Sequence, residues 1–133
     1  MSPIIRNILA VVAGWLIGGA INMLLIRLGY VVMPIEGLDP SDMEALAEIM
    51  PSLEPKYFLF PFLAHAVGTF IGAFIAAKLG VSNKLTLAMI VGAIFLAGGI
   101  AMAMMIPAPT WFVVADLLLA YIPMAWLGGR LGK

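Results

Sequence analysis

A chain of 133 residues in which 64% are hydrophobic and 11% charged is not built for water, since soluble domains are about 45–50% apolar and about 25% charged. A net charge of zero removes the basic field of a nucleic-acid binder, and the absence of cysteine removes disulfide frameworks and thiolate metal sites. The class that remains is all-α: a small integral membrane four-helix bundle with the lipid bilayer as its solvent.

The first span follows from the charge-free run between Arg6 and Arg27. A bilayer core of about 30 Å needs about 20 apolar residues at 1.5 Å rise each. The same reasoning places spans at about 5–28, 57–78, 85–106 and 110–129. The first run exceeds the apolar stretch of a signal peptide, about 7–15 residues, and continues through Gly29 to Val32, so it reads as a retained helix.

The connection that follows is expected to carry a short amphipathic helix at about 40–50. Asp39-Pro40 offers an N-cap with proline at the first helical position, and Ser41 with Glu44 offers an overlapping capping box. Met43, Leu46, Ile49 and Met50 fall on one face. Such a helix either covers a cavity as a lid or packs its apolar face on the bundle.

Small residues then recur at spacing four. Ala10, Gly14, Gly18 and Asn22 line one face of the first span, and Ala64, Gly68, Gly72 and Ala76 line one of the second. Ala93, Ala97 and Ala101, flanked by Gly98 and Gly99, do so on the third. Lipid gives no hydrophobic drive between helices, so backbones approach through small residues. These ribbons are predicted packing faces within the chain, with a dimer face as the alternative. Pro107-Ala108-Pro109 separates the third span from the fourth, Pro123 should kink the fourth, and Gly128-Gly129 should loosen its end. Pro55-Lys56-Tyr57-Phe58 is echoed by Pro109-Thr110-Trp111-Phe112, and Ala64-His65 by Ala115-Asp116. The echo suggests two hairpins related by an axis along the membrane normal.

Charge sets the expected orientation. Arg6, Lys78, Lys84, Arg130 and Lys133 share one side of a four-span chain, while Glu36, Asp39, Asp42, Glu44, Glu48 and Glu54 crowd into the first connection. The Lys/Arg bias makes both termini cytoplasmic and the acidic loop external, N-in and C-in. An outer rim of Arg27, Glu36, Glu54 and Lys56 follows, with Arg27 either snorkelling or meeting Glu36 or Glu54.

Ionisable groups within a membrane are costly and point to function. His65 lies roughly 12 Å below the outer end of its helix, Asp116 roughly 9 Å and Asn22 roughly 7–8 Å, at 1.5 Å per residue. Thr69 is one turn below His65, and Tyr121 lies deeper on the fourth span. His65 is the only histidine and Asp116 the only intramembrane acid, so their pairing is expected, with Asn22 as hydrogen-bonding neighbour. Two roles stand open: a working site, or interhelical hydrogen-bond glue. Every serine lies outside the spans, which disfavours a serine nucleophile. No metal or other cofactor is expected; Met102, Met104 and Met105 suit core filling better than Cu(I) binding.

The stretches Glu54-Pro55-Lys56, Phe60-Pro61-Phe62-Leu63-Ala64-His65-Ala66, Gly68-Thr69, Pro107 to Phe112 and Ala120-Tyr121-Ile122-Pro123 resemble an uncharacterised family of small four-helix bacterial inner-membrane proteins. That resemblance implies the inner membrane as location and brings no activity or cofactor. The first functional expectation is a transporter or channel-like protein, a homodimer by preference, with an outward-facing polar pocket. The others are a non-catalytic accessory subunit of a larger membrane complex, and an intramembrane acid/base enzyme acting on a lipid or quinone-like substrate.

Overall fold

The computed structural model describes residues 1–133 and consists of helices and turns alone. α1 (Pro3–Val32) starts where the Ser2 hydroxyl accepts from the Ile5 N–H at 3.2 Å and proline fills the first turn. α2 (Met43–Ile49) is a single short helix in the first connection, followed by 3₁₀ turns at Met50–Ser52 and Pro55–Phe58. α3 (Leu59–Leu79), α4 (Lys84–Met105), α5 (Thr110–Leu119) and α6 (Ile122–Gly132) complete the chain. Four segments are long and apolar enough to cross a membrane: Pro3–Val32, Pro55–Leu79, Lys84–Met105 and Thr110–Gly132.

The bundle is small inside and large outside. Only 28 of 133 residues are buried, and more than half of the hydrophobic core residues are alanine, including Ala10, Ala64, Ala73, Ala76, Ala88 and Ala125. Leucines and isoleucines on all four segments face outward, among them Leu16, Leu63, Ile94 and Leu118. Water would penalise that surface, whereas lipid does not, and helix contact then depends on close backbone approach.

α3 is the central helix, packed against α1 on one side and against α4 and α6 on the other. Against α1 the glycines interlock: a Cβ on Gly18 would stand 2.5 Å from the Gly68 carbonyl oxygen, and one on Gly72 would stand 2.6 Å from that of Gly14. The predicted ribbons of the first two spans therefore meet each other. The third differs, because Ala93, Ala97 and Ala101 are exposed and Gly98 has open space where a side chain would begin. α4 instead uses the face bearing Ala88, Val91 and Gly92, with Ala88 and Gly92 against Gly129 and Ala125 of α6. Nor does the Gly128-Gly129 pair loosen anything. Gly128 lies against the Phe70 carbonyl and Gly132 against that of Phe74, so the end of α6 is clamped on α3.

One end of the bundle is tied by hydrogen bonds. Arg6 donates to the Leu79 carbonyl at 3.2 Å, and Asn7 accepts from the Val81 N–H at 2.9 Å while donating to Ser82 at 2.8 Å. Asn83 takes a left-handed conformation (φ 47°) to start α4, which asparagine tolerates better than most residues. At the opposite, acidic end, Asp42 caps α2 through the Ala45 N–H at 3.1 Å, displacing both expected caps, Asp39 and Ser41. Asp39 closes a turn on Ser41 instead, accepting from its hydroxyl at 2.7 Å and its N–H at 2.9 Å. α2 lays Leu46 against the ends of α1 and α3, beside Tyr30, Met33 and Phe60.

The fourth segment is not one helix. It breaks at Ala120 and Tyr121, ahead of Pro123, whose missing N–H leaves the Leu119 carbonyl without its helical donor. The start of α5 is pinned by aromatic contact, with the Phe58 ring 4.5 Å from Phe112 and 5.6 Å from Trp111. Phe58 and Phe112 hold matching places in the two echoing sequence runs.

Candidate functional site

A polar cluster is assembled from three helices and the break that follows the third of them. His65 and Thr69 are one turn apart on α3, so they share a face. Asn22 reaches that face from α1, because the Gly18–Gly68 contact lets the two backbones come close; Asn22 itself lies beside Gly68. Asp116 comes from α5, and Tyr121 occupies the break before α6.

His65 Nδ1 stands 2.8 Å from Asp116 Oδ1 and 2.9 Å from Oδ2, a bridging contact to both carboxylate oxygens. The Tyr121 hydroxyl donates to Oδ2 at 3.4 Å, and its ring stacks on that of His65 with centroids 5.6 Å apart. The Asp116 side chain is only 7% exposed, against 23% for His65. With Nδ1 held by the carboxylate, Nε2 is the ring nitrogen left without a protein partner.

Beside this pair lies a partly open cavity of about 190 Å³. His65, Thr69 and Tyr121 line it on one side, Asn22 on another, and Phe95, Gly98, Gly99 and Met102 of α4 complete it. Two of the residues that line this cavity each carry a buried polar atom with no hydrogen-bond partner, Asn22 Oδ1 and Thr69 Oγ1. A buried group left so costs about 1–3 kcal/mol unless something occupying the cavity satisfies it.

Gly99 leaves room for the Tyr121 phenol, whose oxygen lies 2.5 Å from where a Cβ would be. Gly98, expected to pack a helix, lines the cavity instead. Phe95 was not singled out by sequence, where it is one phenylalanine among seven. Its ring packs against Gly18 and Gly72, so those two glycines make the space it fills.

The remaining expected residues stand apart. Lys56 contacts Glu54 at 3.8 Å, both well exposed, and lies over the Tyr57 ring. Arg27 forms no ion pair with Glu36 or Glu54. No residue of α2 or its connection lines the polar cavity; α2 places Leu46 against the ends of α1 and α3 instead. Met104 and Met105 are exposed and away from the pair, and no cluster of three histidine or acidic ligands exists to hold a metal. No family model, curated protein or solved structure matches the chain.

Proposed function

We propose that this chain is a small bacterial inner-membrane transporter or channel-like protein, N-in and C-in, whose polar cavity lies in the outer half of the bilayer. The observation that carries the reading is the bridged His65–Asp116 pair beside two unpartnered polar atoms, Asn22 Oδ1 and Thr69 Oγ1. Hydrogen-bond glue would satisfy all of its members, whereas a solute site keeps some in reserve. The orientation draws on charge: five basic residues gather at one end and six acids at the other. The broken fourth segment adds support, because discontinuous helices in transporters place irregular backbone at the substrate site.

In this mechanism Asp116 holds the Nδ1 proton of His65. Nε2 accepts a proton from the solute or a water in the cavity, and the imidazolium so formed stays paired with the carboxylate. Thr69 and Asn22 orient the solute, and the Tyr121 hydroxyl steadies Asp116. A homodimer would enlarge a pathway that four spans barely enclose. A second reading, an accessory subunit in a larger membrane complex, draws on the uncovered ribbon Ala93, Ala97 and Ala101.

The test is flux in proteoliposomes, read as proton movement with an entrapped pH dye across a panel of small polar solutes. His65→Gln and Asp116→Asn should abolish flux while each variant keeps the parent's thermal midpoint in detergent. If both lose their folded state together with flux, the pair is structural and the transport reading fails.

A further inference from the structure

The cavity beside His65 has its open face on the flank of the bundle. α1 and α4 meet around a buried cluster of Ala10, Ala76, Leu87 and Val91, against which Val11 and Phe95 pack, and Phe95 reaches across to Gly18. Beyond Phe95, towards the acidic end, the lining passes from Asn22 on α1 to Gly98 and Met102 on α4. Gly98 has no atom near its would-be Cβ, and Met102 is 47% exposed. Phe95, Thr69, His65 and Tyr121 line the rest, and no residue of the acidic connection lines the cavity.

Charge and size restrict the occupant. The only ionisable groups at the site besides the Tyr121 phenol are His65 and Asp116, and they are spent on each other. No lysine or arginine lines the cavity to receive a phosphate, and no spare carboxylate lines it to receive an ammonium group. What remains is hydrogen-bonding capacity: Asn22 Oδ1, Thr69 Oγ1 (on a residue 1% exposed) and the unpartnered His65 Nε2. A partly open cavity of about 190 Å³ accommodates a small polar head group, while Met102 at the rim is the flexible, polarisable side chain that suits an alkyl chain lying across it.

Resting on the membrane-pocket reading above, we infer that the site takes the neutral hydroxyl or carbonyl head of an amphiphile that enters sideways from the bilayer between α1 and α4. Thr69 and Asn22 bond the head, His65 Nε2 accepts from its hydroxyl, and the apolar tail stays in lipid outside Met102.

The probe is a diacylglycerol with a diazirine near its head, incorporated with the full chain into phosphatidylcholine nanodiscs. Photolysis followed by peptide mapping should place label on α4 around Gly98–Met102 and on α1 around Asn22. Unlabelled diacylglycerol should compete, and Gly98→Leu should cut labelling by about tenfold or more, because leucine fills the portal from a position with open space and no neighbour to displace. Labelling that Gly98→Leu leaves unchanged overturns the proposal. Equal competition by phosphatidylglycerol overturns the neutral head. A spontaneous disulfide dimer of Met102→Cys, in a chain with no other cysteine, that excludes the probe assigns the opening to a second copy and overturns the proposal too. Flux of a water-soluble solute without labelling removes the lateral site and keeps the transport reading; labelling without flux in any condition does the reverse.

Discussion

Gly18 and Gly19 are adjacent glycines on one helix, and the structure assigns them opposite tolerance. A Cβ on Gly18 would sit 2.5 Å from the Gly68 carbonyl oxygen and 3.0 Å from Gly72 Cα, both backbone atoms of α3 that cannot swing aside. One on Gly19 would meet nothing within 4 Å. Gly18→Ala must therefore push α1 away from α3 by roughly half an ångström or more, and a gap of about 0.5–1 Å forfeits about a quarter to a half of each dispersion contact it opens. Overpacking of this kind costs about 1–3 kcal/mol. Each substitution also changes backbone propensity by up to about 1 kcal/mol in favour of alanine. That term is common to both and cancels in the comparison, so Gly18→Ala should be about 1–3 kcal/mol less stable than Gly19→Ala. The measurement is unfolding by dodecyl sulfate titration in mixed micelles, followed by tryptophan fluorescence. Equal midpoints, within roughly 0.5 kcal/mol, would show that the α1–α3 contact is not made through these glycines. The same displacement would carry Asn22 away from Thr69, so Gly18→Ala should also weaken the polar site while Gly19→Ala leaves it intact.

Three further outcomes follow from the packing and the caps. Gly128→Ala should destabilise by about 1–3 kcal/mol, because its Cβ would strike the Phe70 carbonyl; a neutral result in the same titration would mean that α6 is not clamped on α3. Asn7→Ala removes two hydrogen bonds to Val81 and Ser82 and should cost about 0.5–1.5 kcal/mol for each, with faster hydrogen exchange confined to the α3–α4 connection. Asp39 is held below the usual carboxylate range by the Ser41 hydroxyl, and then by the Ser41 N–H. Its folded form binds a proton less tightly than its unfolded form. Its support for the turn is therefore present above the unfolded titration range and lost as pH falls through the folded one. Ser41→Ala should move the Asp39 carboxyl resonance midpoint up towards the ordinary carboxylate value, and an unchanged midpoint would refute the contact.

The existence of four long apolar segments was legible because it depends on composition summed over many residues. Their ends were less so: α1 runs on to Val32 and the fourth segment to Gly132, past the charges that bound the apolar runs. The glycine ribbons of the first two spans were legible, like the segments themselves. The ribbon of the third span misled: spacing four fixes a common helix face, but which face turns inward depends on the partner helix, and α6 selected Ala88 and Gly92. The α2 cap shifted to Asp42 because Asp39 found a local partner in Ser41 first.

The sequence by itself therefore determined an all-helical chain with four segments long and apolar enough to cross a membrane, and it isolated His65 and Asp116 as the two titratable side chains within those segments that most needed explaining. Only the tertiary structure decided that Nδ1 bridges both carboxylate oxygens, that the fourth segment breaks at Tyr121, and that Thr69 and Asn22 are left without partners around a cavity. Periodicity and composition are properties of one helix at a time. Distances between side chains on different helices depend on how closely the backbones approach, and here a few glycines set that approach.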